Sequence, residues 1–182
     1  MLELISTVRG VDPIMRRFAS FVGLALILSL PTVPVLAQSG FVLFGGEKDP
    51  ENTLEYTMTN NRSKARVNLL DLRMKQRNVA IAEIRLDYPY FFDRSFDTNS
   101  IEVLDDNTKA SLPVEKIEQD TEDRTITIVM KRAIPAETPL RIRMLNFTNP
   151  RTPGLFKIQA RYLGTEPNPL YRYAGTWYLS FN

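Results

Sequence analysis

The chain has 182 residues, of which 43% are hydrophobic and 24% are charged, and its formal net charge is +2. This composition indicates one globular domain with appendages, and the charge is too small for the concentrated basic face of a nucleic-acid-binding protein. The sequence contains no cysteine and no histidine. Disulfides, thiolate metal sites and the commonest general base are therefore excluded, and we expect neither a cofactor nor a transition-metal site.

The N-terminal region has the organisation of a secretory leader. Arg16 and Arg17 precede the apolar run 18–30, and the small residues that end at Ala37 suit a signal-peptidase cut. We expect translation to start at Met15, because signal peptides favour positive charge close to their start. The predicted segments are a mis-assigned start extension over 1–14, a signal peptide over 15–37 and a single β-sandwich domain over 38–182. An uncleaved anchor is the alternative, since the whole apolar stretch up to Ala37 carries no charge.

Short segments in which apolar and polar side chains alternate follow through the rest of the chain. A two-residue period indicates strands with one buried and one wet face. The side chains predicted to face inward are those of Leu54, Tyr56, Met58, Ala82, Ile84, Leu86, Tyr88, Ile126, Ile128, Met130, Leu140, Ile142, Met144, Phe156, Ile158, Ala160, Tyr162, Trp177, Leu179 and Phe181. The less regular segments are 41–44, a short strand; 65–72, a strand or a helical turn; 112–117, a weak edge strand; and 118–124, a charged hairpin loop. Thr176 is predicted on the wet face of the last strand.

The stretch 78–103 organises the chain, because it leaves one strand, turns a corner and enters the next. Pro89 lacks the N–H that a sheet ladder needs, so the first of these strands should end there. Five aromatic rings lie within nine residues, at Tyr88, Tyr90, Phe91, Phe92 and Phe96. Such a cluster predicts either a core plug that closes one end of a sandwich or an exposed aromatic binding patch.

Two charged clusters leave alternatives open. The run of Asp105, Asp106 and Asn107 suggests a calcium loop, but the EF-hand spacing is absent and an ordinary loop is favoured. A second cluster interleaves basic and apolar positions, which predicts either a solvated face or a patch for phosphate or an anionic surface. Its members are Arg62, Lys64, Arg66, Arg73, Lys75 and Arg77.

The whole pattern is that of many short strands separated by turn signals at intervals of about ten residues. After the leader, no long segment has a period of 3.6 residues. We therefore predict an all-β fold, an antiparallel immunoglobulin-like β-sandwich that follows an N-terminal signal peptide. The Cys–Trp–Cys pattern of antibody domains is absent, so this likeness is one of architecture.

Three pieces of the sequence carry a resemblance to a known family. They are Tyr88-Pro89 with Phe92 and Phe96-Asp97; Ile134-Pro135-Ala136 with Asn149-Pro150, Gly154 and Phe156; and the closing strand 175–181. Together they resemble the cyanobacterial exported proteins grouped as domain of unknown function 2808, over nearly all of the chain after the leader. The resemblance implies an exported β-domain in the periplasm or the thylakoid lumen, and it implies no catalytic residue.

Two function classes fit these residues. The carboxylates of Asp93 and Asp97 could serve a hydrolase that acts on envelope polysaccharide, although polar residues beside a corner are more typical of turns. No nucleophile motif such as G-x-S-x-G or S-x-x-K occurs. We therefore predict an exported, non-catalytic binding or scaffold protein whose partner is an envelope or thylakoid protein or polysaccharide. Nucleic acid is not expected as a partner, and membrane contact is expected only through an uncleaved signal sequence.

Candidate binding residues follow from the predicted fold, because a sandwich presents its loops at its two ends. The loops 90–99 and 165–173 are the richest in Tyr and Arg, the residue types enriched where binding energy concentrates. The predicted binding residues are Tyr90, Arg94, Tyr171 and Arg172. No catalytic or metal-ligating residue is predicted.

Overall fold

The computed structural model of the chain describes residues 50–182. The predicted start extension, signal peptide and strand at 41–44 lie outside the described residues. Within residues 50–182 the chain forms ten strands and two short 3₁₀ turns, at Pro50–Asn52 and Thr98–Ser100. The strands are β1 (Tyr56–Met58), β2 (Arg66–Met74), β3 (Ile81–Asp87), β4 (Ile101–Asp105), β5 (Ser111–Leu112), β6 (Val114–Asp120), β7 (Thr125–Ile134), β8 (Leu140–Thr148), β9 (Gly154–Gly164) and β10 (Arg172–Phe181).

The strands form two antiparallel sheets of five strands each. The first sheet has the order β1-β2-β8-β4-β5, and the second has the order β10-β9-β3-β7-β6. The chain crosses between the sheets repeatedly, for example from β2 to β3 and back to β4, so the two sheets face each other across a shared core. The predicted fold class, an antiparallel immunoglobulin-like β-sandwich, is confirmed.

One continuous hydrophobic core lies between the sheets. The alternation predicted for β7, β8, β9 and β10 is confirmed, because all of their predicted inward-facing residues are buried. Residues 65–72 belong to strand β2 and form no helical turn. In β1, Leu54 just before the strand is buried, whereas Tyr56 and Met58 are half-buried. This strand has three residues at the edge of its sheet, so its side chains are covered on one flank only.

The start of β3 departs from the predicted alternation. Ile81 is buried, whereas Ala82, which was predicted to face inward, is only half-buried. A β-bulge between Ile81 and Glu83 shifts the register against both neighbouring strands. One additional residue reverses the in-and-out phase of a strand, so Ile81 joins Ile84 and Leu86 on the core side.

The segment predicted as one weak edge strand is two strands in different sheets. Ser111–Leu112 pairs with β4 in the first sheet, and Val114–Asp120 pairs with β7 in the second. Pro113 lies between them. Because proline offers no N–H to a ladder, the chain leaves the first sheet at this residue and enters the second. The second strand also continues further than predicted, and the hairpin turn is shortened to 121–124.

A short segment ahead of β1 covers the free edge of β10. The N–H of Leu54 donates to the carbonyl of Thr176 at 2.9 Å. This cover explains why Thr176 is buried, although the alternation placed it on the wet face. Gly175 has φ +133, and a Cβ there would lie 2.7 Å from both the carbonyl oxygen of Asn52 and Cγ of Leu54. The close approach therefore requires glycine at this position.

The loops gather at two opposite ends of the sandwich. The pairing of β3 with β9 runs from Ile81 opposite Gly164 to Asp87 opposite Gln159, so the chain before β3 and the chain after it lie at different ends. The Tyr90 end consists of the connections 59–65, 88–100, 121–124 and 149–153. The Tyr171 end consists of the connections 75–80, 106–110, 135–139 and 165–171.

Candidate functional site

Three buried rings anchor the aromatic corner at the Tyr90 end. Tyr88, Phe92 and Phe96 are all buried. The rings of Phe92 and Phe96 stack with centroids 4.9 Å apart, and Tyr88 meets both of them edge-on at 5.9 and 5.5 Å. The N–H of Phe92 donates to the carbonyl of Pro89 at 2.9 Å, which closes a tight turn directly after β3. The corner is thus a rigid part of the core and not a free loop.

The same corner holds two further rings out of the core. The side chain of Tyr90 is 81% exposed and that of Phe91 is 47% exposed. Their rings meet edge-on with centroids 5.3 Å apart, and Phe91 also rests on the buried ring of Phe156 at 5.1 Å. The two interpretations of the aromatic cluster therefore each hold for part of it, because three rings plug the core and two form an exposed aromatic tip.

Arg94, a predicted binding residue, ties the corner to a neighbouring turn. Its Nε donates to the carbonyl of Asn149 at 3.3 Å, and its charge lies 4.0 Å from the carboxylate of Asp93. Asp93 in turn accepts the N–H of Arg151 at 3.1 Å. Asn149 is fully buried, and its side-chain amide donates to the carbonyl of Arg62 at 2.8 Å. The guanidinium of Arg94 thus contributes to the support of the corner, while Tyr90 is exposed.

Tyr171 and Arg172 lie at the opposite end and are occupied by neighbours. The Tyr171 hydroxyl donates to Glu83, and its ring lies 5.7 Å from the guanidinium carbon of Arg85. Burial, followed by the hydrogen bond and the charge of Glu83, raises the pKa of Tyr171 to about 12. Arg172 forms an ion pair with Glu166 in its own loop. The structure therefore does not bring the four predicted residues into one site, because Tyr90 and Arg94 follow the end of β3, whereas Tyr171 and Arg172 lie where the chain enters β10, with Tyr171 against Glu83 and Arg85.

The basic residues predicted as a possible anionic patch divide between the two ends. Three of them lie towards the Tyr171 end and are engaged: Arg73 pairs with Glu55 at 3.2 Å, Lys75 donates to the carbonyl of Glu51, and Arg77 donates to the carbonyl of Ala174. The other three lie at the Tyr90 end, and their side chains are exposed and have no partner among residues 50–182. They are Arg62, Lys64 and Arg66. Sequence spacing could not separate the two groups, since the separation depends on which end of β2 each residue lies near.

On the outer face of the first sheet, the buried carboxylate of Asp71 is bound by arginine side chains. Both oxygens of Asp71 accept hydrogen bonds from Arg143, at 2.8 and 3.0 Å, and Arg141 adds a third at 2.9 Å. Arg141 also bridges to Asp106. Burial raises the pKa of Asp71, but the hydrogen bonds and charges of Arg143 and then Arg141 outweigh it and hold that pKa below its ordinary value. These residues form a structural network with no exposed reactive group.

The carboxylates considered for catalysis or calcium serve turns. Asp97 accepts the hydroxyl of Ser100 at 2.7 Å and the N–H of Asn99 at 3.1 Å, which lowers the pKa of Asp97. Asp105 accepts the N–H of Asn107 at 2.8 Å, and this bond lowers its pKa too. A general acid at neutral pH needs a raised carboxyl pKa, so neither group is tuned for that role.

Among residues 50–182, no group of three or more histidine, cysteine, aspartate or glutamate side chains is arranged to hold a metal ion. In the same residues, none of the helical segments has the length and apolar character of a membrane span.

These features define a β-sandwich domain that carries a core-anchored aromatic tip and unpaired basic side chains on the loops of one end. Comparison of the sequence with protein families identifies the family of this domain. The chain belongs to the family described as protein of unknown function (DUF2808), which matches residues 41–181. The predicted family is confirmed, while the cyanobacterial origin suggested by the resemblance stays a prediction. A comparison with curated proteins gives no match.

Several solved structures share the general architecture at low identity. The crystal structure of BslA, a bacterial hydrophobin, is 13% identical, with a TM-score of 0.46 over 71% of this chain and 94% of that chain. The collagen-binding domain of a Staphylococcus aureus adhesin is 12% identical, with a TM-score of 0.39 over 71% and 96%. ACE19, the collagen-binding subdomain of the Enterococcus faecalis surface protein ACE, is 10% identical, with a TM-score of 0.42 over 74% and 99%.

Proposed function

We propose that the protein is an exported, non-catalytic binding or scaffold domain that contacts a component of the cell envelope or the thylakoid side through its Tyr90 end. The observation that carries this proposal is the aromatic tip, in which Tyr90 and Phe91 are held out to solvent by a corner whose other three rings are buried. Exposed aromatic side chains on a rigid support bind with little loss of conformational entropy.

The state of the ionisable groups supports contact over catalysis. The carboxylates of residues 50–182 with a resolved pKa shift are Asp71, Asp97, Asp105 and Asp106, and in all four the pKa is lowered by cationic or hydrogen-bonding neighbours. Lowered pKa values keep carboxylates ionised and bound to those neighbours, whereas paired-carboxylate hydrolysis needs one acid that stays protonated. Asp93, the other candidate, is paired with Arg151.

The proposal is tested by affinity capture from the native envelope with matched variants as bait. The double variant Tyr90→Ser, Phe91→Ser removes the aromatic tip, and Leu170→Ser removes an exposed apolar side chain at the Tyr171 end. We expect the tip variant to lose the partners that the parent captures and the Leu170 variant to keep them. If both variants, shown to be folded by circular dichroism, capture the same partners as the parent, the Tyr90 end is not the contact site.

A further inference from the structure

Three connections of the Tyr90 end are joined into one surface by hydrogen bonds. The N–H of Lys64 donates to the carbonyl of Pro150 at 3.0 Å, and the buried amide of Asn149 donates to the carbonyl of Arg62 at 2.8 Å. The N–H of Arg151 donates to Asp93, three residues after Tyr90. These bonds fix the turn between β1 and β2 and the turn between β8 and β9 beside the aromatic corner. The connections that carry the aromatic tip and the basic side chains of Arg62, Lys64 and Arg151 are therefore held together at one end of the sandwich.

The charge on this surface is positive and largely uncompensated. The side chains of Arg62, Lys64 and Arg66 are exposed and have no ion-pair partner among the described residues. Arg151 is exposed beside the carboxylate of Asp93. Four acidic residues lie on the connections of the same end: Asp93 and Asp97 belong to the aromatic corner, and Glu122 and Asp123 belong to the hairpin between β6 and β7. That hairpin lies at the far edge of the second sheet, whereas the turn between β1 and β2 lies beside β10 at the near edge. We call the aromatic tip, together with the turns 59–65 and 149–153, the basic, aromatic half of the Tyr90 end. The acidic hairpin contacts the buried part of the corner, where the N–H of Tyr88 donates to the carbonyl of Arg124.

We propose that the basic, aromatic half of the Tyr90 end docks on a lipid bilayer that carries anionic headgroups. This inference rests on the proposed function and names the partner of the same site. Tyrosine concentrates at the boundary between headgroups and acyl chains, and phenylalanine inserts below it. Basic side chains around such a tip add electrostatic attraction to anionic lipid. Membrane contact would then come from the folded domain as well as from any uncleaved leader, which departs from the expectation drawn from the sequence.

The geometry of the tip favours a bilayer over a polysaccharide. Tyr90 and Phe91 meet at an interplanar angle of 89°. A sugar chain that lies along an aromatic platform needs rings that share one plane, and the perpendicular rings of Tyr90 and Phe91 do not form such a platform. Insertion between headgroups needs only exposed apolar volume next to positive charge, which the tip and its flanks supply.

The test uses the full chain and a reporter that senses this end alone. Because the sequence contains no cysteine, Thr152→Cys gives a single attachment point for an environment-sensitive dye in the exposed turn beside Arg151. Thr165→Cys gives the matched point at the Tyr171 end. The dye at each position is followed during titration with vesicles of equimolar phosphatidylglycerol and phosphatidylcholine, and with vesicles of phosphatidylcholine alone. A local reporter keeps this contact distinct from vesicle binding by the apolar N-terminal segment.

We expect a blue shift of the dye at position 152 with the anionic vesicles only, and none at position 165. The variant Arg62→Gln, Arg66→Gln should weaken the apparent affinity for anionic vesicles on the order of twentyfold, from about fivefold per basic side chain at a membrane surface. The variant Tyr90→Ser, Phe91→Ser should abolish the blue shift. The matched basic control, Lys131→Gln, Arg132→Gln on exposed residues towards the Tyr171 end, should leave the affinity unchanged.

Three results would overturn the inference. One is a dye at position 152 that does not respond to anionic vesicles, and another is an equal response to vesicles of phosphatidylcholine alone. The third is a soluble sulfated polysaccharide that produces the same response in the absence of vesicles, which would assign the surface to a glycan. If any of these occurs while envelope capture still depends on Tyr90 and Phe91, the lipid assignment fails and the contact function stands. If capture is also independent of the tip, both fail.

Discussion

Trp177 is the residue that joins the two sheets most directly. It belongs to β10 of the second sheet and is fully buried, and its indole N–H donates to the carbonyls of Glu55 and Arg73 on the side of the first sheet, at 3.2 and 3.0 Å. One side chain therefore combines the burial of a large apolar surface with hydrogen bonds across the sandwich. Its core position is confirmed, whereas its two carbonyl partners could not be predicted, since they are brought near only by the folding of both sheets.

We expect Trp177→Ala to lower the free energy of unfolding by about 3–5 kcal/mol, the range for a large buried aromatic side chain. Trp177→Phe retains most of the apolar contact and should cost about 1–3 kcal/mol, because the carbonyl of Arg73 loses the indole donor, whereas the carbonyl of Glu55 still accepts the N–H of Arg73. Trp177 is the only tryptophan in the chain, so unfolding of all forms is followed by circular dichroism. A Trp177→Ala protein that melts with the parent would show that the closing strand does not hold the sheets together.

The ion pairs of Asp71 make a contribution to stability that depends on pH. Its pKa in the folded protein lies below the ordinary value of 3.8, because Arg143 and Arg141 favour the ionised form. This stabilisation is fully present above the pKa of the unfolded chain and is lost as pH falls through the folded-state pKa. We expect Asp71→Asn to cost about 1–3 kcal/mol at neutral pH, with a smaller difference from the parent below about pH 4.

Urea unfolding of the parent and of Asp71→Asn at a series of pH values measures this difference directly. Asp123→Asn serves as the control, because this residue is exposed in the hairpin turn 121–124 and its carboxylate belongs to no ion pair among residues 50–182. A cost of Asp71→Asn that stays constant down to about pH 3 would mean that the pair with the two arginines does not stabilise the fold.

At the scale of elements, the sequence was sufficient wherever a strand is regular. The alternation in β7 to β10 identified every inward-facing residue, because each of these strands has one side against the core, and in β10 it failed at Thr176, which the segment ahead of β1 covers. It failed where the chain changes phase or sheet, at the bulge after Ile81 and at Pro113. A bulge is a property of pairing with neighbours, and the choice of sheet on each side of Pro113 depends on strands far away in sequence. Neither the bulge nor the change of sheet produces a repeat in the local sequence from which it could be predicted.

The aromatic corner shows the same limit, because Phe91 and Phe92 are adjacent and chemically identical but face opposite environments. Phe92 is fully buried, and Phe91 is about half exposed. We expect Phe92→Ala to cost about 3–5 kcal/mol and Phe91→Ala less than about 1 kcal/mol. Thermal unfolding of the two variants in parallel checks this, each serving as the control for the other. Similar losses from both would mean that the corner has no exposed tip, and the proposed contact surface would lose its basis.

At the scale of the whole molecule, the candidate site could be predicted only in part. The loops 90–99 and 165–173 were predicted as binding loops from their content of Tyr and Arg, but their positions at opposite ends follow from the order of strands in the second sheet. Local composition also could not reveal that Arg94 supports the corner or that Arg172 pairs with Glu166. Of the four predicted residues, only Tyr90 is both highly exposed and beside a second exposed ring.

The short segment ahead of β1 belongs to the folded unit. The segment ahead of β1 places Leu54 in the core and covers the edge of β10 at Thr176, in a space left open by Gly175. A chain of residues 50–182 should therefore fold by itself, with the emission of a buried tryptophan. A chain of residues 55–182 should lose at least about 2–5 kcal/mol, the cost of removing a buried leucine, and expose an unpaired strand edge that promotes association.

Leu54→Ala and Gly175→Ala in the longer chain should each reproduce part of this loss, the second because its Cβ would displace the segment. Denaturant unfolding of the four proteins measures the loss of stability, and sedimentation measures the association. Equal stability of the two chains would show that the sandwich closes without this segment.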